Sequence, residues 1–236
     1  MGIWKESEEA YMGYLKGADI SHHNGKSAVY NILAQEADID FFIVKATEGR
    51  TYVDPQCAVN CTDTLTNGRL LGLYHFARPD NRNTPLQEAD NFLKVFSKYL
   101  GNAIPVLDWE AGALKCGTEW AAEWVKIVFE TTGVKPMLYT SQSEVKRMSA
   151  LCELDCGLWV ARYNKNQTLG SVAPWTTWAM WQYDDGTYLP GQYDKDYFNG
   201  TKSQFMAYCK SALEAEEIKE PCHCGCSCCS DDEWER

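Results

Sequence analysis

The 236-residue chain holds only four histidines, and none stands in an HExxH or other His-rich ligand set. That removes the usual signature of a zinc hydrolase. No apolar run approaches the roughly 18–20 residues that a membrane-spanning helix needs. The first thirty residues lack a basic start followed by an apolar stretch, so no secretory leader is legible. Basic residues are in deficit: 22 Lys and Arg against 33 Asp and Glu leave a net charge of -11, which argues against nucleic acid as a partner. The length suits one globular domain with a large core, so folding does not call for disulfides or metal.

Charge and cysteine are unevenly spread. Residues 214–236 hold eight acidic and two basic residues and five of the eleven cysteines. The chain therefore divides into a lead-in (1–15), a globular body (16–213) and a short acidic, cysteine-rich tail (214–236).

Within the body, apolar runs alternate with amphipathic stretches. Strands are predicted at 16–21, 41–47, 70–77, 103–110, 135–141, 158–163, 177–183 and 193–198. Several are nearly continuous in apolar residues, as parallel strands buried on both faces are. Helical stretches are predicted near Lys26, over Pro55–Asn67, from Thr84-Pro85 with Thr84 as N-cap, and over Gly117–Thr132 with Thr118 as N-cap. Connections in the last third are shorter and less helical. The fold class is α/β: an irregular (β/α) barrel, TIM-barrel-like with incomplete helical crossovers. A doubly wound open sheet is the alternative.

The polar residues favour the barrel. Asp19, His75, Asp108, Glu110, Tyr139, Arg162, Gln182 and Asp194 each sit at or near the end of an apolar run. Closing the sheet gathers such ends on one rim, where barrel enzymes keep their active sites. Asp108 and Glu110, two apart on one strand, share a face. Mutual repulsion separates their ionisation, so one holds a proton while the other is charged. Glycosidic cleavage requires such a pair, although a solvated strand end or half of a hard-cation site has the same spacing. Asp19 and Asp194, on the first and last strands, meet across the seam if the barrel closes. Each taken singly also reads as a cap or turn residue.

Nine Trp and thirteen Tyr supply flat rings, many near strand ends: Tyr74, Trp109, Tyr139, Trp159, Tyr163, Trp175, Trp178, Trp181 and Tyr183. Such rings suit the apolar faces of sugars, although most are expected to pack the core. His22-His23 reads as a loop polar contact. His75 reads as an orienting group and not a metal ligand.

These residues carry a resemblance. GADISHHNG, FFIVKATEG with YVDP, GLYHFARP, PVLDWE, PMLYTS, LWVARY, WAMWQY and YDKDYFNG follow the order and spacing of family 25 glycoside hydrolases, the Chalaropsis-type lysozymes, from about Lys16 to about Tyr208. The resemblance implies an irregular β/α barrel that hydrolyses the β-1,4 bond between N-acetylmuramic acid and N-acetylglucosamine in bacterial peptidoglycan strands. Glu110 matches the family's general acid. Asp108 matches its partner, as nucleophile or as support for the substrate's acetamido group, and Asp19 and Asp194 match the remaining acids. Tyr74, Tyr139, Trp159, Arg162 and Trp181 match groove residues. No cofactor or metal is implied, and no oligomeric state is set.

The chain departs from the family at Lys195, between Asp194 and Asp196, where an apolar residue is usual. That puts the local packing in question. The tail sequence Cys222-His223-Cys224-Gly225-Cys226-Ser227-Cys228-Cys229 lies outside the resemblance and reads either as a soft-metal segment or as a plain acidic tail. Cys57/Cys61 and Cys152/Cys156 have helical spacing, a poor geometry for a bridge. Free thiols without a leader suit cytosolic synthesis, with holin-type release to the wall as for a phage endolysin; a secreted enzyme with a trimmed leader is second. Competing functions are a glycan-binding barrel without catalysis, a chitin-type hydrolase and a wall amidase. The four acids disfavour the first. The missing D-x-x-D-x-D-x-E strand disfavours the second, and the missing zinc or Cys/His set the third.

Overall fold

In a computed structural model of the chain, residues 13–211 are described, apart from Pro190 and Gln192. The acidic cysteine-rich tail and its metal reading lie outside the described residues.

Eight strands close into a barrel: β1 (Leu15–Ile20), β2 (Phe41–Glu48), β4 (Leu70–Phe76), β5 (Ala103–Asp108), β6 (Met137–Ser141), β7 (Leu158–Ala161), β8 (Met180–Asp184) and β9 (Asp194–Phe198). β3 (Tyr52–Val53) is a short hairpin partner of β2 outside the ring. All eight predicted strands are present, and the barrel, not the open sheet, is the fold. One expectation needs correcting. The other seven ring strands run parallel to one another, but β9 is antiparallel to both β8 and β1. Its connection from β8 is short and contains no helix, and a short connection joins antiparallel neighbours.

Four helices cover the early crossovers: α1 (Ala28–Gln35), α2 (Cys57–Thr66), α3 (Pro85–Phe96) and α4 (Thr118–Thr132). α3 begins as its sequence predicts. The Thr84 hydroxyl accepts from the Gln87 N–H and the Gln87 side-chain oxygen accepts from the Thr84 N–H, with proline in the first turn. At α4 the cap is Gly117, and Thr118 is already helical with no capping bond, one residue from its predicted place. α5 (Ser149–Glu153) is one turn long, and α6 (Lys202–Tyr208) follows β9.

The period-2 alternation of each strand sorts its side chains between two cores. Phe41, Ile43, Ile104, Val106, Met137, Met180 and Phe198 fill the barrel interior, and Phe205 of α6 joins them. Gly17 and Gly72 are small because their neighbours are large. A Cβ at Gly17 would lie 2.1 Å from the Phe41 ring, and one at Gly72 would lie 2.4 Å from Ile43 Cδ1. Outside the ring, Phe42, Val44, Leu71, Leu73, Leu107 and Leu138 pack under the helices with Phe92, Phe96 and Trp124. Burying each of those rings contributes about 2–3 kcal/mol. Cys57 and Cys61 sit one turn apart on α2 with sulfurs 4.0 Å apart, and all six cysteines of the described body are free.

Candidate active site

The interior ranks change character toward the rim where the parallel strands end. A cleft of about 500 Å³ opens there, lined by Asp19, Lys45, Glu48, Tyr74, Arg78, Asp108, Glu110, Tyr139, Trp159, Tyr163, Gln182 and Asp194, among others. A second large cavity, about 630 Å³ with Trp175, Trp178 and Tyr208 in its walls, lies at the opposite end of the strands. The acids are all at the first.

Each acid reaches the cleft by a different local rule. Asp108 is the last residue of β5 and points inward, as Val106 does. Glu110 follows in extended backbone (φ -147, ψ -171), which keeps the alternation and returns it to the same side. Asp19 is the inward residue near the end of β1. Asp194 opens β9, and because that strand runs backward its first residue lies on this rim, paired in register with Asp19. The predicted meeting across the seam occurs through that reversal.

Lys45 and Glu48 carry no local pattern that marks them as site residues. Strict alternation would send Glu48 to the face opposite Lys45. The register of β2 against β4 slips between Lys45 and Thr47, and the extra residue turns Glu48 back toward the cleft. Lys45 Nζ then donates to Glu48 Oε2 at 2.8 Å, and Arg78 donates to Glu48 Oε1 at 2.9 Å.

A hydrogen-bond web holds the seam acids. Tyr139 and Tyr163 donate to the Gln182 carbonyl, 2.7 Å for the former, and Gln182 Nε2 donates to Asp19. Trp159 Nε1 donates to Asp196 at 2.9 Å, and Asp194 lies opposite Asp19 in the β1–β9 register. Burial is the main force on these carboxyls. It raises Asp19 well above the usual range, with the charges of Asp194 and Asp196 adding to it. It raises Asp196 similarly, and it takes Asp194 to about 6. Asp108 is raised by burial and then by the Glu110 charge, with Lys45 pulling the other way. Glu110 is raised by burial and then by Asp194, again against Lys45. Two carboxylate oxygens here, Asp108 Oδ1 and Asp196 Oδ2, are buried with no hydrogen-bond partner among the described residues. Among those residues no group of three or more His, Cys, Asp or Glu is arranged to hold a metal ion.

Asp194 yields a stability prediction. Its folded pKa of about 6 exceeds the unfolded value of about 3.9, so the folded state keeps the proton longer. Its contribution is complete below pH ~4 and is lost as pH rises through about 6. Asp194→Asn therefore gains ~2 kcal/mol over the parent at pH 7.5 relative to pH 4, read by urea melts at the two pH values.

Of the groove residues named above, Tyr74, Tyr139 and Trp159 line the cleft, while Arg162 and Trp181 do not. Gln182 faces inward, so its neighbour Trp181 faces out, packing with Val160 and Tyr183. Arg162 likewise follows inward Ala161, and its guanidinium bonds Gln142. His75 departs from the rim for the same reason, since Tyr74 takes the inward position. It is fully buried between Thr47 (2.7 Å) and Glu88 (2.8 Å) and stacks on Trp124. Burial lowers its pKa despite the Glu88 bond. His23 lines the cleft, whereas His22 Nδ1 bonds Asp54 at 2.7 Å. Lys195 packs without conflict, bonding Glu36 (2.8 Å) and Tyr193 (2.7 Å).

Carboxyls that oppose each other's ionisation, set among flat rings where parallel strands end, are what cleaving a sugar–sugar bond asks of a protein. Fold and cleft together have the layout of a β/α-barrel with a carboxylate-lined cleft at the strand ends. The chain belongs to glycosyl hydrolases family 25, whose family model matches residues 18–192. It is 30% identical over 176 residues to YegX, an uncharacterised protein of Escherichia coli O157:H7, covering 72% of this chain and 63% of YegX. It thus spans under two thirds of that relative's length. Lysozyme M1 of Streptomyces globisporus is 27% identical over 212 residues, 82% of this chain and 70% of its own. The structure of a muramidase from Trichobolus zukalii matches with a TM-score of 0.69 and 28% identity, over 83% of this chain and 99% of that one.

Proposed function

We propose that the chain is a muramidase cleaving the β-1,4 bond between N-acetylmuramic acid and N-acetylglucosamine in peptidoglycan. The body at 16–213 does the chemistry, without a cofactor. The observation that carries this reading is the Asp108/Glu110 pair, two carboxyls with raised pKa values in one cleft and an orphaned oxygen on the deeper one.

Between them the pair holds one proton at a pH where isolated carboxyls hold none. Asp108 is the more buried, so in the empty cleft that proton favours it. A sugar acetamido N–H donating to Asp108 Oδ1 stabilises the Asp108 anion and leaves the proton to Glu110. Glu110 then protonates the departing glycosidic oxygen as the C1–O bond breaks. The acetamido carbonyl oxygen closes onto C1, and the Asp108 anion supports the positive charge that spreads to its nitrogen. Water next attacks C1, giving its proton to the Glu110 carboxylate and reopening the ring. Asp19 holds the far wall through the Gln182 web, and the Asp194 charge raises Glu110.

The test is digestion of purified peptidoglycan with the new ends reduced and weighed by mass spectrometry. Reducible N-acetylmuramic acid ends are expected. Reducible N-acetylglucosamine ends would make the enzyme a glucosaminidase, free peptides an amidase, and retention on the wall without cleavage a binding barrel. Its site of action is the bacterial wall. The six free cysteines of the body support synthesis in a reducing cytosol and endolysin-like release through a holin-type pore, ahead of secretion with a trimmed leader.

A further inference from the structure

Against the cleft, sharing Glu48 and Arg78 with it, lies another cavity of about 690 Å³. The chemistry above makes no use of it. Its walls come from the residues that follow β2 and β4, including Arg50, Arg78 and Arg82, with His22 and Tyr52 also lining it.

Charge is the first unusual feature. Three guanidiniums line this cavity and Glu48 is its only carboxylate among the described residues, in a chain of net charge -11. Arg78 is already committed, bonding Glu48 at 2.9 Å and Asp80 at 3.0 Å. Lys45, in the neighbouring cleft, is committed to Glu48. Arg50 and Arg82 have no ion pair and no side-chain hydrogen bond among the described residues, although Glu48 and Asp80 each stand two positions before one of them in the chain. Two unpaired guanidiniums in one concave space suit a carboxylate, since each presents a planar fork of donors. Backbone geometry is the second feature. Arg82 is held at φ +61, in the left-handed region that a glycine or asparagine usually takes. Gly49, on the facing loop at φ +53, brings its backbone close to Asn83, where a Cβ would sit 3.3 Å from Nδ2.

We propose that this cavity is an anion subsite for the free carboxylates of the peptide stem on the muramic acid, with Arg50 and Arg82 as its ligands. The inference rests on the muramidase reading. A muramic acid seated in the cleft carries its stem on the lactyl ether at C3, and the stem must leave over one wall. Over the acids it meets repulsion. Over Glu48 and Arg78 it meets the two free guanidiniums, and complementary charge there lowers KM without touching the bond that breaks.

The experiment compares soluble glycan strands that keep their stems with strands stripped by an amidase, for the parent and for Arg50→Gln/Arg82→Gln. The parent is expected to show a KM about tenfold lower on stem-bearing strands. In the double variant that ratio falls to near one, and Arg50→Lys/Arg82→Lys restores part of it. Stems whose carboxylates are amidated lose the preference in the parent. A ratio that the double variant leaves unchanged overturns the subsite, as does a dependence on the two arginines that follows the phosphodiester content of the strands and not their stems. End analysis of the same digests separates the two readings. Muramic acid ends with an unchanged ratio reject the subsite alone, whereas absence of those ends in the parent's digests rejects the muramidase reading and the subsite with it.

Discussion

Glu110→Gln lowers kcat on peptidoglycan by about three orders of magnitude and leaves the melting temperature within about 2 °C of the parent. Both halves of this expectation come from the cleft. The amide keeps the shape of the acid and cannot give up a proton to the departing oxygen, so the loss falls on the chemical step. Folding does not suffer, because burial and the Asp194 charge already oppose ionisation of this carboxyl. The pH profile adds an independent check. A general acid works while protonated, so the parent's kcat falls as pH rises through the raised Glu110 value. In the variant the residual rate lacks that limb. Retention of most activity, or an unchanged limb, removes Glu110 from the acid's role.

Asp108→Asn lowers kcat by about two orders of magnitude. The side chain keeps its size, but the buried anion that accepts the acetamido N–H and supports the charge on its nitrogen is gone. The discriminating substrate is a strand whose muramic acid is N-deacetylated. On it the parent is slow, and parent and variant converge, because the interaction is missing from both sides of the comparison. A hundredfold gap that persists on the deacetylated strand means that Asp108 attacks the sugar carbon itself. The variant also melts higher than the parent at neutral pH, since it removes a carboxyl that burial and Glu110 hold well above its ordinary pKa.

Much of the site is legible in the amino-acid sequence, and the misses have two causes. Asp108 and Glu110 stand out because extended backbone repeats every two residues, a rule needing no knowledge of neighbouring strands. The same rule, applied strictly outward from Tyr74 and Gln182, places His75 and Trp181 on the outer face, where the structure has them. Treating every polar residue at a strand end as a rim residue overlooks that alternation. Lys45 and Glu48 are different. No local reading of Lys45-Ala46-Thr47-Glu48 reveals the slipped register, because the bulge exists only in the pairing of β2 with β4. The helix starts divide the same way. A reciprocal capping pattern within four residues identifies Thr84, while Thr118 loses the cap position to Gly117, whose extended backbone begins the turn.

The sequence by itself determined the eight strands, their helical and bare connections, the carboxyl pair at the end of β5 and the family to which the chain belongs. Those are encoded in hydrophobic period, capping pattern and motif order, all properties of contiguous residues. Tertiary structure decided what depends on partners far along the chain. The reversal of β9 sets Asp194 beside Asp19 at the closing seam, and the bulge in β2 turns Glu48 toward Lys45 and Arg78. It also gathered Arg50 and Arg82 into one cavity whose single described carboxylate is already bonded to Lys45 and Arg78. Strand direction, register and charge pairing are fixed by which residues meet across space, and closure of the barrel decides which do.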